Sequence, residues 1–151
     1  MFRYNGFSID CCIGFYQLIF FCIKLRFYLL LCVLCQRENE TYTHLFSDCE
    51  KISMLLKDLK EWIAFKTDNF VDFSLLSIIF GLHGKINYIP SLLMLLVKQY
   101  IYYCRRMKAN VCIKELKSKI FQYYKIEKYN SKISGKLDNF TRRWNGWESL
   151  F

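Results

Sequence analysis

The pattern of apolar and polar residues predicts that most of the chain is helical. After Glu50, apolar residues recur at steps of three and four along one helical face, namely Ile52, Leu55, Leu56, Leu59, Trp62 and Ile63. We expect this helical region to cover residues 50–83, with a break at Thr67, Asp68 and Asn69. Inside it, residues 73–82 form a short buried segment that ends in a glycine-containing turn at residues 81–84.

Two further helices are predicted in the last third of the chain. The first begins after Pro90, with Ser91 as its N-cap, and continues over residues 92–107. Asn110 supplies a break and a new cap. The second helix then shows an apolar face formed by Ile113, Leu116, Ile120 and Tyr124. With a short helix and a tail at the end, the pattern predicts a mainly α fold, a small helical domain over residues 50–151.

An apolar block near the start of the chain is a separate feature. The block of residues 11–35 is long enough to cross a bilayer. However, Lys24 and Arg26 near its centre would each cost about 2.5–3.5 kcal/mol on insertion. Neither apolar half, residues 11–23 or 27–35, is long enough to span by itself. We therefore divide the chain into an apolar N-terminal segment, residues 1–31, and a domain over residues 32–151. Membrane contact through residues 11–31 is kept as an alternative.

Positive charge is concentrated at the other end of the chain. The sequence contains 22 Lys and Arg and 13 Asp and Glu, which gives a net charge of +9. Residues 1–97 hold nine of each sign, so the whole excess lies in residues 98–151. A basic end of this kind favours a polyanionic partner, either nucleic acid or an anionic membrane surface, although a solvated helical face has the same composition.

Eight cysteines and two histidines supply the candidate chemistry. The start of the chain does not read as a secretory signal, which favours a reducing intracellular compartment, nuclear or cytoplasmic, over a disulfide scaffold. One segment has the spacing C-x2-C-x8-H-x4-C and contains Cys32, Cys35, His44 and Cys49. Zinc prefers four such ligands in a tetrahedron, so the spacing predicts one structural Zn²⁺ in a CCHC zinc knuckle-like loop over residues 32–49. Unpaired core cysteines and a stray histidine are the alternative.

The same segment resembles the zinc-binding region at the C-terminus of non-LTR (long interspersed) retrotransposon reverse transcriptases. The residues that match the family pattern are Cys32, Cys35, Glu40, Thr41, His44, Leu45, Phe46, Cys49 and Trp62. A looser similarity covers residues 78–120 and the closing residues 140–151, whereas residues 1–31 do not match. The resemblance identifies residues 32–151 as a fragment of this type.

In that family the region is thought to hold template RNA or target DNA, so the resemblance implies sequence-nonspecific binding of RNA or DNA. We expect the phosphate contacts to come from Arg105, Arg106, Lys108, Arg142 and Arg143. Trp144 and Trp147 either stack on unpaired bases or pack into the core. The sequence has no paired aspartates for a polymerase metal centre and no endonuclease residues, and His83 is more typical of a loop, so we expect no enzymatic activity.

Two alternatives to this function stay open. In the first, the chain is a small membrane-associated protein anchored by residues 11–31, with its basic end on anionic lipid. In the second, it is a nonfunctional transposon remnant. The membrane protein predicts detergent-dependent solubility and no bound metal. The remnant predicts almost no expression and loss of the zinc ligands in other copies.

Overall fold

A computed structural model describes residues 31–80 and 88–151, and these residues are mostly helical. After a short turn at His44–Asp48, the helices are α1 (Glu50–Thr67), α2 (Leu75–Phe80), α3 (Tyr88–Met107), α4 (Ile113–Ile133) and α5 (Leu137–Trp144). A final 3-10 turn at Glu148–Leu150 follows. The mainly α fold class is therefore confirmed, and within these two ranges the backbone forms one isolated bridge and no strand.

The first long helix matches the apolar pattern. Its buried face is formed by Ile52, Leu55, Leu56, Leu59 and Ile63, while Trp62 is half-buried. The predicted break is also confirmed. Asp68 caps the helix in a left-handed conformation, with φ at 53°, which tilts the chain out of the helical path. Asn69 then donates from its side chain to the carbonyl of Gly146, 3.0 Å away, so the break is tied to the end of the chain.

The start of α3 differs from the prediction. The helix is already formed at Tyr88, so Pro90 lies inside its first turn and Ser91 is not the N-cap. Proline is tolerated there because the first N–H groups of a helix have no intrahelical acceptor. The start of α4 also differs: its N-cap is Cys112, which makes no side-chain cap, and Asn110 lies outside the helix.

The helices pack so that α3 lies at the centre of the core. It contacts α2, α4, α5 and the His44–Asp48 turn, and its most buried side chains include Leu93, Val97 and Ile101. Helix α1 packs against the same turn, α4 and the final turn. Burial of these apolar surfaces is the main stabilising term of the fold.

An aromatic cluster joins α4 to the end of the chain. Tyr124 meets the edge of Trp144 at 4.9 Å between ring centroids and stacks on Phe151 at 4.4 Å. Phe140 lies against Tyr124 at 5.4 Å. The Trp144 indole donates to Glu127, 3.0 Å away. Offset and edge-on ring pairs of this type add stabilisation beyond the area that they bury.

Several predictions fall on residues 1–30 and 81–87, which lie outside the described residues. They are the apolar N-terminal segment except for Leu31, the membrane contact through residues 11–31, the turn at residues 81–84 and the loop assignment of His83. Among the helices of residues 31–80 and 88–151, none combines the length and the apolar character that a membrane crossing requires.

Candidate metal centre

A tight loop presents the first two predicted ligands. Leu31 and Asn39 form an antiparallel bridge that closes the loop. Inside it, Cys32 donates its N–H to the Glu38 carbonyl and accepts from the Gln36 N–H, both at 2.7 Å. Gln36 has a φ of 56°, the left-handed conformation that reverses the chain within a few residues. The loop therefore brings Cys32 and Cys35 to the same side of a knuckle.

The second pair of ligands flanks the short turn before α1. The Thr41 hydroxyl accepts from the His44 backbone N–H at 3.0 Å and fixes the start of the turn. Leu45 and Phe46 are buried against the helices, which holds His44 facing inward. Cys49 donates its N–H to the His44 carbonyl at 2.7 Å and is the N-cap residue of α1. The backbone thus fixes both ligands.

The four predicted ligands meet in one cluster. The sulfur atoms of Cys32, Cys35 and Cys49 and a ring nitrogen of His44 all lie within 4.8 Å of one another. Within the cluster, Cys35 Sγ and His44 Nε2 lie 3.2 Å apart. A tetrahedral ion with sulfur ligands at about 2.3 Å and nitrogen at about 2.0 Å needs ligand separations of about 3.5–3.8 Å. The cluster is therefore close enough to hold one metal ion.

Backbone N–H groups surround each sulfur in the same way. Backbone N–H groups two and three residues further along the chain lower the pKa of each cysteine by hydrogen bonding: Leu34 and Cys35 for Cys32, Arg37 and Glu38 for Cys35, Lys51 and Ile52 for Cys49. The Ile52 N–H also donates to the Cys49 carbonyl at 2.9 Å. Hydrogen bonds to a sulfur favour the thiolate, which is the form that binds metals. The three cysteines are therefore prepared for the same chemistry.

Burial opposes these hydrogen bonds to different extents. It raises the pKa of Cys49 to about 11, and it also raises the pKa of Cys32. At Cys35 burial acts in the same direction, but the N–H groups of Arg37 and Glu38 and the His44 ring outweigh it and lower the pKa to about 6. A divalent cation among the sulfurs would favour all three thiolates, because it neutralises their mutual repulsion.

The second ring nitrogen of His44 lies beside a carboxylate. His44 Nδ1 is buried and lies 3.1 Å from Glu38 Oε2, although the two atoms are not aligned for a hydrogen bond. With Nε2 facing the sulfurs, Nδ1 would carry the ring proton toward Glu38. Metal-binding histidines commonly have this arrangement, in which a carboxylate fixes the ring orientation and the tautomer.

A buried ion pair connects the loop of residues 31–39, called the metal loop below, to the centre of the core. Glu40 accepts from the Val33 N–H at 3.3 Å through one oxygen and from the Arg105 guanidinium at 2.6 Å through the other. The Glu40 side chain is only 5% exposed and that of Arg105 is 25% exposed. Sequence reasoning did not find this contact, because the two residues are 65 positions apart. The match of Glu40 to the family pattern was the available signal.

The five predicted phosphate contacts are not equivalent. Arg105 is held by Glu40, and Arg143 donates to Glu127 at 2.6 Å and lies over the Tyr88 ring. The remaining three, Arg106, Lys108 and Arg142, are exposed. The five residues do not form one compact group, because three lie at the end of α3 and two at the end of α5.

The two C-terminal tryptophans pack into the core. Trp144 is completely buried in the aromatic cluster, and Trp147 is almost completely buried. Base stacking requires an exposed ring face, so of the two alternatives the structure supports packing of both rings into the core.

No protein-family model, no curated protein and no solved structure matches the chain. What can be said about the site therefore depends on its geometry. That geometry establishes a Cys/His group able to hold a metal ion within a helical domain.

Proposed function

We propose that the chain binds one structural Zn²⁺ through Cys32, Cys35, His44 and Cys49, and that it is a nucleic-acid-binding C-terminal region of a non-LTR retrotransposon reverse transcriptase. The observation that carries the proposal is the convergence of four ligand atoms within 4.8 Å. The family assignment is supported by the residues around these ligands, among them Glu40, Thr41 and Trp62, whose types and spacing match the family pattern.

The donor set favours zinc over the other common ions. Three thiolates and one imidazole are soft to borderline ligands, which suit Zn²⁺, whereas Mg²⁺ and Ca²⁺ prefer oxygen. Four protein ligands complete a tetrahedron and leave no position for a reacting water. The ion would therefore hold the loop of residues 31–39 to the start of α1, and we propose no catalytic role for it.

Nucleic acid is the partner that the charge distribution favours. The excess positive charge lies entirely in residues 98–151, which form the second half of α3 and all of α4 and α5. Exposed Arg106, Lys108 and Arg142 are available for phosphates, and contacts of this type carry no sequence information. The region would hold RNA or DNA without reading its bases.

Metal content is the first test. The full-length chain is purified without added metal, and its zinc is measured by inductively coupled plasma mass spectrometry against protein concentration. We expect one zinc per chain. Cys49→Ser should lose it, because serine is a poor zinc ligand and Cys49 supplies a quarter of the tetrahedron.

Cys112→Ser is the matched control for this substitution. Cys112 is a half-buried cysteine whose side chain lies outside the cluster. It should keep its zinc and its helical circular dichroism. A wild-type chain that is helical and contains no metal after zinc is supplied would contradict the proposal.

A further inference from the structure

The exposed side of α4 carries a row of lysines. Residues 114, 117, 121, 125, 128 and 132 follow one another at steps of three and four, which places them along one side of the helix. Phe121 fills the middle position, and the other five are Lys114, Lys117, Lys125, Lys128 and Lys132. We call these five residues the lysine row. At 1.5 Å per residue it is about 27 Å long.

Most of the lysine row is exposed to solvent. Four of its members are exposed and Lys117 is half-buried, and within residues 31–80 and 88–151 none of them forms an ion pair. Both carboxylates of α4 are engaged elsewhere. Glu115 accepts from the Tyr100 hydroxyl, and Glu127 accepts from Tyr88, Arg143 and Trp144. Among the described residues, no carboxylate therefore lies at ion-pair distance from the row.

Aromatic rings fix the position of three of the ammonium groups. Lys117 lies over Trp62 of α1 at 4.9 Å, Lys125 over Phe121 at 4.2 Å and Lys128 over Tyr124 at 5.6 Å from the ring centroid. Cation–π contacts of this kind restrict the lysine side chain without neutralising its charge. The row thus loses less conformational entropy than free lysines would when an anion binds.

We propose that the lysine row is the surface on which the chain holds the sugar-phosphate backbone of a nucleic acid. A strand of the DNA duplex has one phosphate per about 3.4 Å, so a row about 27 Å long runs alongside several phosphates. Lysine binds them as point charges and does not require a fixed strand geometry. This inference rests on the proposed function only in the choice of nucleic acid as partner, and it replaces the scattered arginines with one continuous surface.

A membrane surface fits the lysine row less well. Helices that lie on lipid insert an apolar face beside their basic residues. The apolar face of α4 packs on α3 and α5, and Phe121, within the row, stacks on Phe151 at 5.5 Å between ring centroids. The exposed Ile126 and Ile133 project from another side of the helix, about a quarter turn or more from the row.

The test compares two full-length variants that lose equal charge. The first is Lys125→Gln/Lys128→Gln/Lys132→Gln in the lysine row, and the control is Lys51→Gln/Lys57→Gln/Lys66→Gln on the exposed surface of α1. Fluorescence anisotropy gives the Kd for a labelled single-stranded RNA of about 20 nucleotides at salt concentrations from about 50 to about 200 mM. Circular dichroism verifies that both variants stay helical.

The expected result is a change in salt dependence. Five phosphate contacts on a single strand predict that the wild-type affinity falls by about 100-fold over this salt range, and two contacts predict a fall of roughly tenfold. The row variant should show the smaller fall and the control should behave as wild type. If the row variant does not fold, Lys114→Gln/Lys132→Gln leaves the three ring contacts intact and should reduce the logarithmic salt slope by about 1.4.

Three outcomes would overturn the inference, and they are distinguishable. In the first, the salt dependence is lost in the α1 control or in an Arg106→Gln/Lys108→Gln/Arg142→Gln variant and is kept in the row variant. The lysine row would then not be the phosphate-binding surface, whereas the proposal of nucleic-acid binding would be unaffected. If the wild type bound RNA with no salt dependence, a phosphate surface would be excluded. If it bound phosphatidylserine vesicles and neither RNA nor duplex DNA, both the row's partner and the nucleic-acid part of the proposed function would fail.

Discussion

Glu40 is the residue through which the metal loop is held to the helical core. Its two oxygens are divided between a backbone N–H in the loop and the Arg105 guanidinium on α3. An ion pair that is mostly removed from water costs free energy to desolvate. Removing one of its two partners leaves the other charge buried without compensation, which is more destabilising than replacing both partners by apolar groups. Glu40 thus has a physical role in this chain, since it joins the loop to α3.

Replacing this carboxylate tests that role. Glu40→Gln removes the negative charge beside Arg105 and keeps the side-chain shape, so we expect a loss of about 2–3 kcal/mol in the free energy of unfolding. Urea denaturation of the zinc-saturated chain measures it. Glu50→Gln is the control, because Glu50 pairs with Arg37 in the open, with side chains 62% and 74% exposed. It should cost at most about 1 kcal/mol, and equal losses in the two variants would argue against the coupling.

Single residues also mark the limits of the sequence analysis. The four ligands could be identified because local spacing and ligand chemistry together specify them. Glu40 and Arg105 could not be paired, since a contact across 65 positions depends on how helices pack and leaves no periodic signal. The burial of Trp144 was undecided for the same reason: its partner Tyr124 belongs to another helix.

At the scale of the helices, Tyr100 joins α3 to the start of α4. Its hydroxyl accepts from the Cys112 N–H at 2.9 Å, and it lies within donating distance of the Cys112 carbonyl and the Glu115 carboxylate, at 3.0 and 3.1 Å. Burial raises the pKa of Tyr100, so the group stays protonated and can donate. The N-terminus of α4 has no side-chain cap of its own, and this hydroxyl takes over part of that task.

Removing the hydroxyl should loosen the junction between the two helices. Tyr100→Phe keeps the buried ring and leaves polar groups of Cys112 without a partner, so we expect a loss of about 1–2 kcal/mol in the free energy of unfolding. Thermal or urea denaturation measures it. Tyr103→Phe on the exposed side of α3 should change the value by less than about 0.5 kcal/mol. If Tyr100→Phe left the free energy of unfolding unchanged, water would replace the hydroxyl at no cost.

Helix interiors were predictable from the sequence and helix ends were less so. The apolar face of α1 and the break after Thr67 follow from periodicity and from residues that favour turns. The starts of α3 and α4 were predicted wrongly from Pro90 and Asn110, because each residue type is compatible with more than one position near a helix start. At Cys112 the backbone N–H is capped by the Tyr100 hydroxyl, twelve residues earlier on another helix. Rules based on neighbouring residues cannot predict such a cap.

For the whole molecule, the metal cluster and the helical core are expected to fold as coupled parts. The His44–Asp48 turn contacts α1, α2 and α3, so it connects the ligands to most of the core. A ligand that binds the folded chain in preference to the unfolded chain shifts the folding equilibrium by mass action. Zinc should therefore stabilise the entire domain and not only its own loop.

This coupling is measured by unfolding the chain at different concentrations of free zinc. When free zinc exceeds its Kd by about a thousandfold, the free energy of unfolding should rise by about 4 kcal/mol. The melting temperature, followed by helical circular dichroism, should rise with it and fall when a chelator is added. Cys49→Ser should show neither change. A wild-type melting temperature that is independent of zinc would mean that the cluster folds separately from the helices.

The hydrogen bonds to the three sulfurs have a consequence for how this segment can vary. All six donors are backbone N–H groups at fixed offsets from each cysteine, so the side chains at Leu34, Arg37 and Lys51 contribute nothing to them. Replacing those residues by any type except proline leaves the donors in place. Inserting or deleting one residue between Cys32 and Cys35 instead changes the separation of their two sulfurs. Related sequences that keep this site should therefore accept residues other than proline at these positions and keep two residues between Cys32 and Cys35.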